Sequence, residues 1–295
     1  MSHQTTPQPG QQPGRQPSPA VDPRAPRRPL PLRAEVGRQL RRRRTRLSFG
    51  FLVVLPLLLV GAFALGSDDS EGGTSFVDLA QVGPANLAVF AMFASASFLL
   101  VVLVALFAGD AVPSEASWST LRYLLAAPVP RGRLLRVKLT VALATTLAAL
   151  VLLPAWSMLV GLVAYGTEAY QGPTGEQLTW AETALRLAVA VGYLFVSLLF
   201  VSSLAVLIGV LTDAPLGAVG GAVLITIVSN ILDTISPLGR LREALPTHEQ
   251  FAWAEALQRD VEWSGMASGA LWSIGYSVVL LTAAFVLFQR KDVLS

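Results

Sequence analysis

Six apolar runs, each long enough to cross a bilayer, constrain this chain more than any other feature of its sequence. A helix needs about 20 apolar residues to span the hydrocarbon core of a membrane. The runs lie at about 47–66, 85–109, 139–165, 184–211, 216–235 and 267–288. The first run holds no charge and is rich in Leu, Val and Phe, which favour insertion. The sequence therefore predicts an all-α membrane protein with six transmembrane helices.

The low content of charged residues supports this class. Only 14% of the 295 residues are charged, whereas soluble domains carry roughly 25%. Too few charges are present to cover a globular surface of this size, so lipid meets much of it. The pI near 9.6 does not indicate a nucleic-acid partner, because the arginines cluster beside the apolar runs.

Three regions follow one another along the chain. Residues 1–32 are rich in Pro and Gln and are expected to form a disordered cytoplasmic tail. Residues 33–46 are basic and are expected to form a cytoplasmic or interfacial helix. Two interpretations of that helix stay open: it lies on anionic headgroups, or it is a positive flank that sets orientation. Residues 47–292 form the six-span domain.

The positions of Lys and Arg predict the orientation in the membrane. Four of the 22 cationic residues, Arg186, Arg240, Arg242 and Arg259, fall on one side of the predicted bundle, and all the others fall on the opposite side. Cytoplasmic segments carry the excess of Lys and Arg. Both termini are therefore expected in the cytoplasm. A long outer loop joins the last two spans, and a helix-like patch is expected within it at about 248–261.

The segment between the second and third spans, 110–138, is polar and carries several arginines. Ser114 and Glu115 are suited to a helix start. A serine can cap the free backbone N–H groups, and a glutamate is stabilised by the positive end of the helix dipole. Apolar residues then recur every three to four positions, and Pro128 ends the helix. Two interpretations are a helix parked on the inner leaflet and a coupling helix that enters a cleft on a soluble partner.

At these residues the chain resembles the ABC type-2 permease family, the membrane subunits of bacterial ATP-binding-cassette exporters. The matching positions are Glu115, Thr120, Leu121, Leu124, Leu125, Pro128, Val129, Arg131 and Lys138. Ser119 stands where the family usually has Gly. The resemblance extends from Arg33 onward through the basic helix before the first span and the closing segment from Phe288 to Val293.

The resemblance implies a permease subunit in the bacterial inner membrane that is not itself an enzyme. It would pair with a second permease copy or a paralogue and dock on a separate ABC ATPase subunit. The implied docking residues are Glu115, Trp118, Thr120, Leu121, Leu124, Leu125, Pro128 and Arg131. No cofactor is expected in this chain, because ATP and Mg would be bound by the ATPase. Neither Lys138 nor Lys291, the only lysines, lies in a P-loop sequence.

A weaker candidate site lies in the fifth span. Thr226, Asn230 and Asp233 recur at i, i+4 and i+7 and form a polar stripe on one helix face. Such a stripe lines a substrate path or makes hydrogen bonds between helices. Residue types for thiolate or imidazole chemistry are scarce: the chain has no Cys, and His3 and His248 lie far apart.

Two other function classes stay open. One is a multi-pass membrane protein without ATP coupling, such as a secondary carrier, an immunity protein or a sensor. The other is an intramembrane enzyme, which needs clustered catalytic groups within the spans. The substrate does not follow from the sequence.

Overall fold

The structure is a computed structural model that describes residues 32–66, 75–109, 131–212 and 214–290. Those residues form ten α-helices, a short β-hairpin and two 3-10 helices. The α-helices are α1 (Leu32–Arg41), α2 (Arg43–Leu65), α3 (Phe76–Ala80), α4 (Pro84–Ala96), α5 (Leu99–Gly109), α6 (Arg131–Tyr165), α7 (Trp180–Ser197), α8 (Leu199–Thr212), α9 (Pro215–Asp233) and α10 (Ser264–Arg290). The hairpin pairs β1 (Tyr170–Gln171) with β2 (Gln177–Leu178), and the 3-10 helices are Ser236–Ala244 and Ala252–Leu257.

Five helical segments of the described residues are long and apolar enough to cross a membrane. They are Arg43–Leu65, Gly132–Tyr165, Trp180–Thr212, Pro215–Asp233 and Ser264–Arg290. The helices α4 and α5 together reach the required length but meet at a bend of 62°. The predicted multi-pass, mostly helical membrane protein is thus confirmed, with the region of the second predicted span broken into two helices.

A serine hydroxyl bonds back to its own helix just before the bend between α4 and α5. The hydroxyl of Ser95 donates to the carbonyl oxygens of Ala91 at 2.6 Å and of Met92 at 3.2 Å. Such back-bonding slightly destabilises a helix and often accompanies a bend. The helix ends one residue later, and α5 starts at Leu99 after a two-residue break.

One crossing lies at the centre of the bundle. The joined helices α7 and α8 have 67% of their most apolar window buried, against 17–33% for the other four unbroken candidates. Helices α5, α9 and α10 pack on α8, and α4 packs along α6. Three helices therefore pack around α8, while α2 packs on α4, α5 and α6.

The outer surface of the bundle is apolar and its interior holds hydroxyl groups. Leu58, Val163 and Leu271 are largely exposed, whereas Ser157 and Thr146 are buried. A soluble protein reverses this arrangement, because water would face those exposed leucines and valines. The distribution indicates a surface covered by lipid.

The two ends of the bundle differ in charge. The basic end comprises α1, the start of α2, the end of α5, the start of α6 and the end of α10. Phe49 stacks on Phe107 there, with ring centroids 6.1 Å apart, and Gly132 lies beside Gln289. The acidic end comprises α3, the β-hairpin and the loop between α9 and α10. It carries acids that include Asp78, Glu168 and Glu176.

Two predicted segments have other bounds in the structure, and two more fall outside the described residues. The basic helix α1 ends at Arg41, and Arg43 already belongs to α2. In the loop after α9 a helix was expected at about 248–261, whereas the structure has 3-10 helices at Ser236–Ala244 and Ala252–Leu257. The predicted coupling helix and the 1–31 tail fall outside the described residues.

Gly161 allows α6 to approach α4 closely, since a Cβ at this position would lie 2.7 Å from the Cα of Pro84. We expect Gly161→Ala to lower the thermal midpoint of the detergent-solubilised protein, because overpacking costs about 1–3 kcal/mol. The matched control is Gly192→Ala in α7, where a Cβ meets nothing within 4 Å. Equal midpoints for the two variants, measured by size-exclusion survival after heating, would contradict the close packing.

Candidate functional site

The polar stripe predicted in the fifth span lies on α9. Thr226 is buried, and its hydroxyl donates to the carbonyl oxygen of Ala222 at 2.8 Å. Asn230 is half-buried, and Asp233 is the last residue of α9 at the acidic end. Ser229, next to the stripe, is buried as well. The stripe therefore leads from the bundle interior to the acidic end.

A cap of residues 236–257 covers this end of the stripe. It contains the two 3-10 helices and the turn between them. Ser229 and Asp233 of α9 bond to it: the Ser229 and Thr247 hydroxyls are 2.7 Å apart, and Asp233 Oδ1 is 2.5 Å from His248 Nδ1. Asp233 of the polar stripe and its neighbour Ser229 thus bind the cap instead of facing an open channel.

Two tyrosines fasten the cap to other spans. The Tyr193 hydroxyl of α7 donates to the Glu249 carbonyl oxygen at 2.5 Å, and the Tyr276 hydroxyl of α10 donates to that of Ala244 at 2.8 Å. A side chain at Gly269 would collide with the Tyr193 hydroxyl, so this glycine makes room for the contact. The cap is consequently bonded to three separate membrane helices.

Arginines add links that sequence reasoning did not assign. Arg242 Nε lies 3.6 Å from Asp233 Oδ1. The guanidinium of Arg186 in α7 donates to the carbonyl oxygens of Gln258 and Arg259, just beyond the second 3-10 helix. The sequence shows Arg186 as a single cation near the outer end of a predicted span. Its partners could not be predicted from that position, because they lie more than 70 residues away along the chain.

Aromatic packing anchors the cap from below. Trp253 is fully buried, and its ring centroid lies 4.4 Å from that of Phe93 in α4. Phe251 stacks on the same Phe93 at 5.6 Å, and Phe76 of α3 meets Phe93 edge-on at 5.2 Å. Aromatic pairs in such geometries stabilise beyond their buried area. The cap is therefore held by apolar contacts as well as by hydrogen bonds.

Beneath the cap is a small cavity where the helix breaks meet. Its lining includes Ala96 at the α4–α5 bend, Leu198 between α7 and α8, Thr226, Thr247 and Gln250. Gln250 is buried, and its amide nitrogen has no hydrogen-bond partner among the described residues. The space holds about one water molecule. Among the residues that the structure describes, the polar stripe thus leads to a space too small for a solute larger than water.

Acidic side chains gather at one edge of the cap. A Cβ at Gly265 would lie 3.1 Å from both the Glu249 and the Glu255 carboxylate oxygens. Burial raises the pKa of Glu255, and the negative charges of Glu249 and Glu262 raise it further. Within the described residues, no group of three His, Cys, Asp or Glu side chains is arranged to hold a metal ion.

At the basic end, an ion pair joins α1 to α6. Lys138 is buried, and its Nζ lies 3.4 Å from Glu35 Oε1; Arg38 Nη1 lies 3.1 Å from the other oxygen of the same carboxylate. Lys138 is one of the residues that carry the family resemblance, and sequence reasoning gave it no partner. The pair fixes α1 beside the point where α6 enters the bundle.

The predicted docking residues are only partly within the structure. Glu115, Trp118, Thr120, Leu121, Leu124, Leu125 and Pro128 lie outside the described residues, and Arg131 is the first residue of α6. The residues that flank the segment are described: Gly109 ends α5 and Arg131 begins α6, both at the basic end. The segment thus starts and finishes at the same end as α1.

The chain is similar to one protein family over most of its length. The model of the family described as "Protein of unknown function (DUF2705)" matches residues 51–294. The chain belongs to this DUF2705 family. The match runs from α2 through α10, so the bent pair, the central span and the cap are all within it. No curated protein matches the chain.

Removing the cation of the Glu35–Lys138 pair tests how α1 is held in this DUF2705 protein. We expect Lys138→Met to lower the thermal midpoint, because the buried Glu35 carboxylate then keeps only Arg38 as an ion-pair partner among the described residues. The loss should be smaller than the about 3–5 kcal/mol that a fully uncompensated buried charge costs. Adding Glu35→Gln to Lys138→Met is expected to recover much of the loss. Arg136→Met, an exposed cation two residues earlier, serves as control. Equal losses in the single and double variants would argue against the pair.

The raised pKa of Glu255 predicts a pH-dependent stability change. Since its folded pKa lies above the ordinary value of 4.5, ionisation of Glu255 opposes folding above the folded pKa, and this effect disappears below 4.5. Glu255→Gln is therefore expected to raise the thermal midpoint at pH 7.5, with a gain that shrinks as the pH falls toward 4.5. Glu243→Gln, on an exposed residue, is the control. A midpoint lowered at neutral pH would contradict the expectation.

Proposed function

We propose that this chain is the permease subunit of an ABC exporter in the bacterial cell membrane. It forms the transmembrane substrate path, and a separate ATPase subunit supplies the energy. The observation that carries the proposal is the motif between Glu115 and Lys138, which resembles the coupling loop of ABC type-2 permeases. Its flanking residues, Gly109 at the end of α5 and Arg131 at the start of α6, are both at the basic end, as a loop that receives force from one partner requires.

The charge distribution supports docking on the cytoplasmic side. The basic end carries most of the cationic residues of the chain, and cytoplasmic segments of membrane proteins carry that excess. ATP is found in the cytoplasm, so a motor that binds the 110–130 segment would meet its fuel there. In this proposal the N- and C-termini are cytoplasmic and the cap of residues 236–257 faces outward.

The small size of the cavity at the polar stripe supports a function that needs a conformational change. The polar residues of α9 lead to a cavity of about one water, and the cap covers its outer side. Transport of any larger solute requires the cap contacts or the helix breaks to rearrange. Closure of an ATPase pair at the basic end would supply that work, passed along α5 and α6, which flank the docking segment. A second permease copy or a paralogue would complete the path.

The docking hypothesis predicts a loss of ATPase capture on mutation of the motif. We expect the tagged wild-type chain, purified in mild detergent from its native membranes, to bring down a subunit that hydrolyses ATP. Glu115→Ala combined with Trp118→Ala is expected to reduce the co-purified ATP hydrolysis at least tenfold, the factor that about 1.4 kcal/mol of lost binding gives.

The matched control is Glu262→Ala combined with Trp263→Ala, because these residues are of the same types and are exposed at the acidic end. It should retain the ATPase at the wild-type level. Membrane yield and elution volume are compared for all three proteins so that misfolding is recognised. A wild-type chain that brings down no ATPase, and whose transport follows an ion gradient, would favour a secondary carrier instead.

A further inference from the structure

Helix α1 has its polar face buried and its apolar face exposed. Glu35 and Gln39 are each 8% exposed, whereas Val36 is 38% and Leu40 is 48% exposed. A helix on the surface of a soluble protein has the opposite pattern, with its apolar stripe toward the core. The exposed apolar face of α1 therefore meets something other than bulk water.

The directions of the faces fit a helix that lies on a membrane beside the bundle. With about 100° between successive residues, Val36 and Leu40 point roughly 100° away from Glu35 and Gln39. Arg38 lies about 180° from the apolar face. In this orientation the face with Glu35 and Gln39 packs on the protein, the face with Val36 and Leu40 meets the acyl chains, and the face with Arg38 meets water.

The exposed face of α1 continues onto the lipid-facing surface of α2. The chain changes direction at Arg42, whose backbone ψ of 132° is extended. Beyond this turn Leu47 and Phe51 are exposed, and Thr45 and Ser48 are buried. Both helices therefore bury polar residues and expose apolar ones.

We propose that α1 is a membrane-surface anchor that binds anionic lipid headgroups, with Val36 and Leu40 inserted at the acyl boundary. Arginines surround the turn between α1 and α2, and they include the exposed Arg41 and Arg43. Their charge is complementary to an anionic bilayer surface, which attracts juxtamembrane basic segments. The ion pair of Glu35 with Lys138 sets the roll of α1, since it holds the polar face against α6.

Lipid is the occupant that the surface favours over a soluble protein. Leu47 and Phe51, exposed on the adjoining span α2, already meet lipid, and a bilayer that covers them accounts for the exposed Val36 and Leu40 without a further partner. The anchor does not depend on the proposed transport function. It depends only on the chain lying in a membrane with α1 at its surface.

The chain has no cysteine, so a single nitroxide can be placed on α1 without altering the background. The full-length Leu40→Cys variant is spin-labelled and reconstituted in nanodiscs of phosphatidylcholine with or without phosphatidylglycerol. Collision rates with oxygen and with a water-soluble nickel chelate report depth. Arg38→Cys serves as the water-facing position on the same helix, Leu58→Cys as the lipid position and Asp260→Cys as the aqueous position.

We expect the Leu40 label in anionic discs to be shielded from nickel like the Leu58 label, while the Arg38 label stays accessible. The Arg41→Gln, Arg43→Gln pair is expected to raise the nickel access of the Leu40 label in anionic discs. Each arginine is expected to contribute about fivefold to the affinity of α1 for the anionic surface. The control pair Arg133→Gln, Arg136→Gln, at the same end on α6, should not change it. Equal nickel access at positions 38 and 40 in anionic discs, or shielding of position 40 only when a soluble subunit is added, would overturn the proposal.

Discussion

Water is absent from the hydrocarbon core of a membrane, so every backbone polar group at that depth has to find its partner within the protein. Several hydroxyls of the described helices donate to the carbonyl oxygen four residues earlier in their own helix, as Thr145, Ser157 and Ser203 do. The buried hydroxyls of Thr146, Ser202 and Ser273 have no partner among the described residues. The Trp156 indole of α6 donates to the Val53 carbonyl oxygen of α2 at 2.9 Å. These bonds allow the bundle to be polar inside and apolar outside.

The same constraint explains where the structure is irregular. A break in a helix exposes backbone groups, and it is tolerated at membrane depth only where protein or a watery cavity surrounds it. The α4–α5 bend and the α7–α8 junction both line the small cavity under the cap. At the acidic end, the Asn86 side-chain amide forms two hydrogen bonds with the backbone of Gln171, at 2.7 and 3.1 Å, and so joins the hairpin to α4. The breaks and the cap therefore form one connected region.

Hydropathy was sufficient to predict the spans, because insertion depends on the composition of about 20 consecutive residues. It did not reveal the bend, which falls at residues 97–98 inside an apolar run. Hydropathy also could not predict long-range partners: the Glu35–Lys138 pair joins residues 103 positions apart. In the polar stripe, the spacing of Thr226 and Asp233 was visible, but their partners in the same helix and in the cap were not.

The proposed function requires the basic end to face the cytoplasm and the cap to face outward. Because the chain has no cysteine, each end can be labelled separately with a membrane-impermeant maleimide. We predict that a single cysteine at the exposed Asp260 reacts in intact cells, and that one at the exposed Arg133 reacts only after the membrane is permeabilised. Reaction at position 133 in intact cells, with position 260 protected, would reverse the orientation and contradict the proposed docking of a cytoplasmic ATPase.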